Sequence, residues 1–374
     1  MPQYPPFLKP GQVTDFPDRP RDRAFAAVRR ATWTAVPQRS TFRYCRSAEF
    51  LRTDAIMPTM RIRIVCPAPP GTLYGNRISA ERWARILRQL GHRVAIDTSY
   101  DGAPCDLLIA LHARRSAQAV FDFAELYPHK PVIVVLTGTD VYRDIHRYRS
   151  AQGALEAATL LVVLQPLAVG ELACHLRPKA RVIYQSVEKT PGSAARPDQV
   201  FQVAVVGHLR SIKDPFRTPM AARSLPDASR IRVMHAGAAM TEDMARRARA
   251  EEQRNSRYRW SGGLPRWRVR RLIASSHLLV LSSKMEGGAN VISEAIVDGT
   301  PILASRIPGS VGLLGADYPG FYRCGDTEAL RSLLLRAEAD PTFYSKLLCR
   351  GAKLSALFRP VRERASWRDL ITEL

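Results

Sequence analysis

The 374-residue sequence lacks any uninterrupted run of the roughly 18 apolar residues that a membrane helix needs. Its longest apolar stretch, Leu160 to Val169, is broken by Gln165 and Pro166, which excludes a membrane span. The opening residues lack the charged-then-apolar order of a secretory signal and carry Pro2, Pro5, Pro6 and Pro10 instead, which argues against export. Six cysteines are scattered without a CxxC pair. Neither a zinc site nor a disulfide framework is indicated, no metal or cofactor is expected, and reduced thiols suit a cytoplasmic protein. Acidic side chains are scarce, 34 Asp and Glu against 56 Lys and Arg, for a formal charge of +22. That balance would suit nucleic acid, but the arginines are spread along the chain and no aromatic-basic motif accompanies them. The reading is a solvated basic surface with no nucleic-acid partner, whose field still favours a small anionic ligand.

What is present is a globular composition, 46% hydrophobic and 24% charged, long enough for two domains. Residues 1–57 show no sustained periodicity beyond a short helical pattern from Arg21 to Thr34, so a disordered or loosely attached extension is expected. From Arg61 strand and helix patterns alternate. Strands are expected at Arg61 to Cys66, Arg93 to Ile96, Asp106 to Leu111, Val132 to Leu136, Leu160 to Leu164 and Arg181 to Tyr184, with a glycine-bearing loop from Gly71 to Gly75 and a helix from Ile78 to Leu90. Pro191, Gly192, Ser193 and Pro197 mark a linker over 188–199. A second alternation follows, with strands at Gln202 to Val206, Ile231 to Ala236, Leu278 to Leu281 and Pro301 to Ala304. The pattern predicts an α/β protein of two Rossmann-like, doubly wound domains, 58–187 and 200–359, and a C-terminal helix over 360–374 able to cross back to the first domain.

The stretch from Ser283 to Glu294 ends a strand, turns at Gly287 and Gly288, and opens a helix through Ala289 and Asn290. Free N–H groups at such a helix start, with the positive end of its dipole, can hold a diphosphate. Glu286 and Glu294 stand at E-x7-E spacing. A carboxylate accepts bonds from paired hydroxyls, so Glu294 suits a ribose diol and Glu286 the hydroxyls of a sugar. With these features on one strand-loop-helix unit, residues 201–335 resemble the donor-binding half of the GT-B glycosyltransferases that carry E-x7-E. The turn Val206-Gly207-His208-Leu209-Arg210 to Lys213 is similar to the family's element whose cations meet the diphosphate, and the Gly262 to Pro265 loop, with Leu264, to the segment that holds the base. His208 stands where that family usually has arginine, which moves the neutralising role to Lys213 and Arg210.

In the first half Cys66 to Arg77, Leu111 to Ser116 and Leu136 to Asp140, together with Tyr184-Gln185-Ser186-Val187 and Arg306 to Asp317, resemble the selenosugar synthases of selenoneine biosynthesis, the SenB type, from about residue 61 to the C-terminus. The resemblance implies transfer of N-acetylglucosamine from UDP-N-acetylglucosamine to selenophosphate. On that reading 58–187 is the acceptor domain and 200–359 the donor domain. Gly71, Gly75, Asn76, Arg77, His112, Arg114, Arg115, Thr137, Gly138, Thr139 and Asp140 are acceptor-side or phosphate-binding candidates, and Lys213, Glu286 and His112 are the catalytic ones. Competing readings stay open: His112 as a structural histidine, Asp140 as a helix cap, and Cys66 as a small buried residue. Two other functions also stay open, a transferase with a hydroxyl acceptor, which would need a general base, and a binding protein without catalysis.

Overall fold

The computed structural model describes residues 58–374 except 193–194, so the extension expected over 1–57, with its helical pattern, lies outside the described residues. The first half alternates β1 (Arg61–Val65), α1 (Gly75–Gln89), β2 (Arg93–Asp97), β3 (Leu107–Leu111), α2 (Ala117–Leu126), β4 (Val132–Leu136), α3 (Ile145–Arg147), α4 (Arg149–Ala157), β5 (Leu160–Val163) and β6 (Ala180–Val182). The second half continues with β7 (Phe201–Val206), α5 (Arg217–Arg223), β8 (Ile231–Ala236), α6 (Glu242–Arg254), β9 (Tyr258–Trp260), α7 (Arg266–Ser275), β10 (Leu278–Leu281), α8 (Asn290–Asp298), β11 (Ile302–Ser305) and α9 (Pro308–Leu314). It closes with β12 (Phe321–Tyr322), α10 (Thr327–Ala339), α11 (Pro341–Leu354) and α12 (Pro360–Thr372).

Each half holds one six-stranded, all-parallel sheet, in the orders β2-β1-β3-β4-β5-β6 and β12-β11-β10-β7-β8-β9. Helices cover both faces of such a sheet, which is why β3, β4 and β5 read LLIAL, VIVVL and LLVV without polar alternation. Successive side chains still part to opposite faces. Leu107, Ile109 and Leu111 join the core under α1 with Trp83, whereas Leu108 and Ala110 join the core with Phe123 of α2 and Ala154 of α4. The edge strands β9 and β12, three and two residues long, are absent from the sequence-based expectation because so short a run carries no periodic signal.

Strand order reverses direction between β1 and β3 in the first sheet and between β7 and β10 in the second. At such a switch point the loops leaving adjacent strands diverge and open a crevice at the carboxyl edge. The loops that flank these crevices are 66–74 and 112–116 in one half and 207–213 and 282–289 in the other.

Helix α12 packs on α1, with Trp83 and Trp367 ring centroids 5.4 Å apart. Its Glu363 is buried and tied on every side: the Trp83 indole Nε1 donates to it at 2.7 Å, the Ser186 backbone N–H at 2.8 Å, the Ser186 hydroxyl also donates, and Arg82 Nε lies 3.3 Å away. Removing one member of a buried charge pair strands the other. Glu363→Ala is expected to lower unfolding stability by about 3–5 kcal/mol. Urea denaturation checks this, with a smaller loss for Glu363→Gln, and an unchanged midpoint would contradict it.

Candidate functional site

On the second half, the chain leaves β7 at Val206 and turns through Gly207 to Lys213. The turn is anchored from below by His235. Burial pushes its imidazole down to about 4, so it is neutral; it donates from Nε2 to the Gly207 carbonyl at 3.2 Å and accepts from the Tyr258 hydroxyl at 3.0 Å. The loops after β7 and β10 are fastened to each other. The Lys284 N–H donates to the Ile212 carbonyl at 2.8 Å and the Ser282 hydroxyl to the Lys213 carbonyl at 3.1 Å. This brings the Lys213 ammonium onto Glu286 Oε1, which also accepts from the Ser283 hydroxyl at 2.6 Å. Glu286 Oε2 has no protein hydrogen-bond partner among the described residues. Glu294 lies one turn into α8, buried, with Arg266 Nη2 3.6 Å from its Oε1.

The first half supplies the opposite wall. His112 follows β3 with a left-handed backbone, φ 74°. Its Nδ1 accepts from the Arg115 backbone N–H at 3.4 Å, and Nε2 sits 3.7 Å from Asp144 Oδ2. Burial lowers the imidazole pKa more than the flanking Asp140 and Asp144 raise it, so the ring is neutral near pH 7. Asp140 is fully buried, and its two oxygens accept from the backbone N–H groups of Thr137 at 3.2 Å, Gly138 at 2.7 Å and Ala113 at 3.1 Å. It shapes the 137–139 loop and opens the π-helical turn Asp140–Asp144, its oxygens turned to backbone N–H groups. Arg114 is likewise drawn off, bound to Asp144 at 3.1 Å with its guanidinium 4.5 Å from the Tyr148 ring centroid. Arg77 is held by Glu81 at 2.7 Å along α1.

Between the two walls lies a cleft of about 450 Å³. Of the sequence-derived candidates, Gly75, Asn76, His112, Arg115, Thr137, Gly138 and Thr139 line it from the first half. Arg210, Lys213, Leu264, Glu286, Gly288, Ala289, Asn290 and Glu294 line it from the second. Gly71, Arg77, Arg114, Asp140, Gly262 and Gly287 do not. Gly287 instead permits close approach of the two halves, since a Cβ there would fall 2.6 Å from the Thr137 carbonyl oxygen and 2.7 Å from the Gly138 nitrogen. At Gly288 it would fall 2.6 Å from Leu164 Cβ. The two glycines let the halves touch.

Several lining residues escape the sequence reading. Tyr74 meets His208 edge-on across the cleft, ring centroids 5.5 Å apart, and a backbone hydrogen bond to Leu73 joins the same pair of loops. His208 is partly buried and its pKa lowered by that burial, so this position carries no fixed charge. Ser79 and Gln185 line the cleft and bond to each other at 2.6 Å. Arg266 follows directly on the Gly262–Pro265 loop, the one local hint of its place.

Residues 186–351 match the family model described as glycosyl transferases group 1. The matched segment carries Lys213, Glu286 and Glu294. The two halves together are similar to Anabaena Alr3699/HepE, solved in complex with UDP and glucose. Identity is 16% and the TM-score 0.68, with 84% of this chain and 100% of that one covered. Sucrose-phosphate synthase from Thermosynechococcus elongatus is similar at 16% identity and TM-score 0.68, covering 84% and 98%. A glycosyltransferase from Rickettsia africae is similar at 13% identity and TM-score 0.64, covering 84% and 98%. The fold is GT-B, two Rossmann-like domains on a shared cleft. Among the described residues no helix is long and apolar enough to cross a membrane, and no group of three or more His, Cys, Asp or Glu side chains is placed to hold a metal ion.

Because the clash at Gly287 is with backbone, the 282–289 loop cannot yield to an added methyl without the halves parting. Gly287→Ala is expected to cost about 1–3 kcal/mol of stability. It should also expand the radius of gyration in small-angle scattering; an unaltered scattering curve would contradict the contact.

Proposed function

We propose that the chain transfers N-acetylglucosamine from UDP-N-acetylglucosamine to selenophosphate, releasing UDP, and that hydrolysis of the Se–P bond by water then releases inorganic phosphate and gives a 1-seleno sugar. The group 1 family match supports the transferase reading, and the choice of donor sugar and acceptor follows the sequence resemblance of residues 61–374. The observation that carries the acceptor class is the chemistry of the first-half wall. Among the described residues its lining includes Arg115, His112, Thr137, Thr139, Gln185 and Asn76, and no carboxylate. His112 is not free to act as a base either, since one ring nitrogen accepts from the Arg115 N–H and the other faces Asp144. A hydroxyl acceptor needs a group to take its proton. An acceptor that arrives ionised does not, and an anion with a soft nucleophilic atom beside Arg115 meets the site's needs.

As the C1–O bond to UDP breaks and the C1–Se bond forms, charge accumulates on the diphosphate oxygen while the sugar becomes oxocarbenium-like. Lys213, Arg210 and the backbone at Gly288, which line the cleft from the second half, would meet that charge. Donor binding then has to share Lys213 with Glu286, and Glu286 in turn is left with oxygens for sugar hydroxyls. The hydroxyls of the ribose fall to Glu294.

The test is UDP release from UDP-N-acetylglucosamine with selenophosphate, beside selenophosphate-free and thiophosphate controls, with product mass measured. Selenophosphate-dependent release of UDP with a selenium-bearing sugar is expected. UDP release without selenium incorporation would keep the transferase and discard selenophosphate as acceptor, and UDP binding without turnover on any donor would assign a binding role. In the active case Lys213→Ala should lower kcat about 10²- to 10³-fold, more than it weakens UDP binding, as expected when a preorganised charge acts mainly on the transition state.

A further inference from the structure

The Glu294 carboxylate is in an unusual position for a hydroxyl acceptor. It is buried on α8, its side chain only 8% exposed, yet it accepts no hydrogen bond from a side chain or backbone group among the described residues. Its small accessible surface opens on the cleft. Arg266 Nη2 at 3.6 Å is too far for a hydrogen bond and close enough for a strong charge interaction. Arg266 itself lines the cleft, at the first turn of α7.

The other charges that reach Glu294 are engaged elsewhere. Arg270 of α7 is bound to Asp298 at 2.8 Å. Arg82 of α1 is bound to Asn290 at 3.2 Å and faces Glu363. Asp298, on the same helix as Glu294, works against its charge. The remaining elements packed on α8, namely α11 and residues 355–358, meet it with apolar groups, Leu347, Leu354 and Phe358, in the core that holds Ile292 and Ala295. Arg266 is therefore the nearest opposing charge and is bound to no other carboxylate among the described residues.

We propose that Arg266 is a positioning residue for donor binding, whose guanidinium holds the Glu294 side chain as an ionised carboxylate toward the donor's hydroxyl pair. This rests on the reading of the cleft as a nucleotide-sugar site. A neutral carboxylic acid offers one donor and a weaker acceptor, so it cannot receive both hydroxyls of a diol, whereas a carboxylate can. Burial raises the Glu294 pKa above the ordinary carboxylate range, and Arg266 is the largest opposing influence. The sign follows. Donor binding uses the ionised form, so affinity is retained above the raised pKa and is lost as pH falls through it. Without Arg266 the same loss begins at higher pH.

The experiment measures UDP binding by calorimetry between about pH 5 and 9 for the full chain and for Arg266→Ala, Arg266→Lys and Glu294→Gln. In Arg266→Ala the acid limb of the affinity profile is expected to move up by about one pH unit, giving about tenfold weaker binding within the limb and little change at the alkaline end. Arg266→Lys should restore most of the limb, and Glu294→Gln should bind weakly with the limb flattened. Arg266→Ala binding that is weaker by one factor at every pH, or a limb that coincides with the unsubstituted protein, overturns the inference while leaving the nucleotide site standing. No UDP binding by the unsubstituted protein, or Glu294→Gln binding like it, overturns the site reading and the inference with it.

Discussion

The approach of the Gly287–Gly288 backbone to Thr137, Gly138 and Leu164 is the contact on which the rest of the cleft depends. No side chain fits between these segments, so the distance between the halves is set by main chain against main chain and against Leu164. With that spacing, Lys213 and Glu286 face His112 and Arg115 across a space of about 450 Å³, of the size that holds a small ligand. The placement is a product of topology. Both sheets reverse strand order at one point, both crevices open at the carboxyl edge, and the glycine contact joins them.

Several ionisable groups are buried to make this geometry, and each is compensated in its own way. Asp140 spends its oxygens on backbone N–H groups and so fixes the 137–139 loop. Glu363 gathers Trp83, Ser186 and Arg82, tying α12 and the segment just before the linker to α1. His235 stays neutral beneath the Gly207 turn. Glu294 alone among these is left without a hydrogen-bond partner, and it is the one that opens on the cleft. Unsatisfied polar capacity costs stability, so its location at a cleft is a mark of binding rather than of packing. Arg82 spans two of these arrangements, since it reaches both Glu363 on α12 and Asn290 at the start of α8.

The strands were legible in the sequence where both faces are buried, because LLIAL, VIVVL and LLVV admit few other readings, and the turn to α8 was legible from its glycines. Strands β9 and β12 were not, since edges of two or three residues have no period. At the cleft, the E-x7-E spacing together with its glycine loop singled out Glu286 and Glu294, the family resemblance of the Val206–Lys213 turn singled out Lys213, and all three line it. Long-range pairings were opaque. Nothing in the run His112-Ala-Arg114-Arg115 tells that Arg114 turns to Asp144 and Tyr148 while Arg115 turns to the cleft. That choice is made by the left-handed backbone of His112 and by a carboxylate 30 residues away. Arg266 and Gln185 have the same character, ordinary in sequence and placed by partners far along the chain or on another helix, Glu294 and Ser79.

A crystal structure of the chain with UDP bound bears most directly on the cleft as a nucleotide-sugar site. The diphosphate is expected at the Gly288 loop within reach of Lys213, with the ribose hydroxyls on Glu294 and the base beside Leu264. A diphosphate seated away from that loop, or a nucleotide with its ribose clear of Glu294, would contradict it.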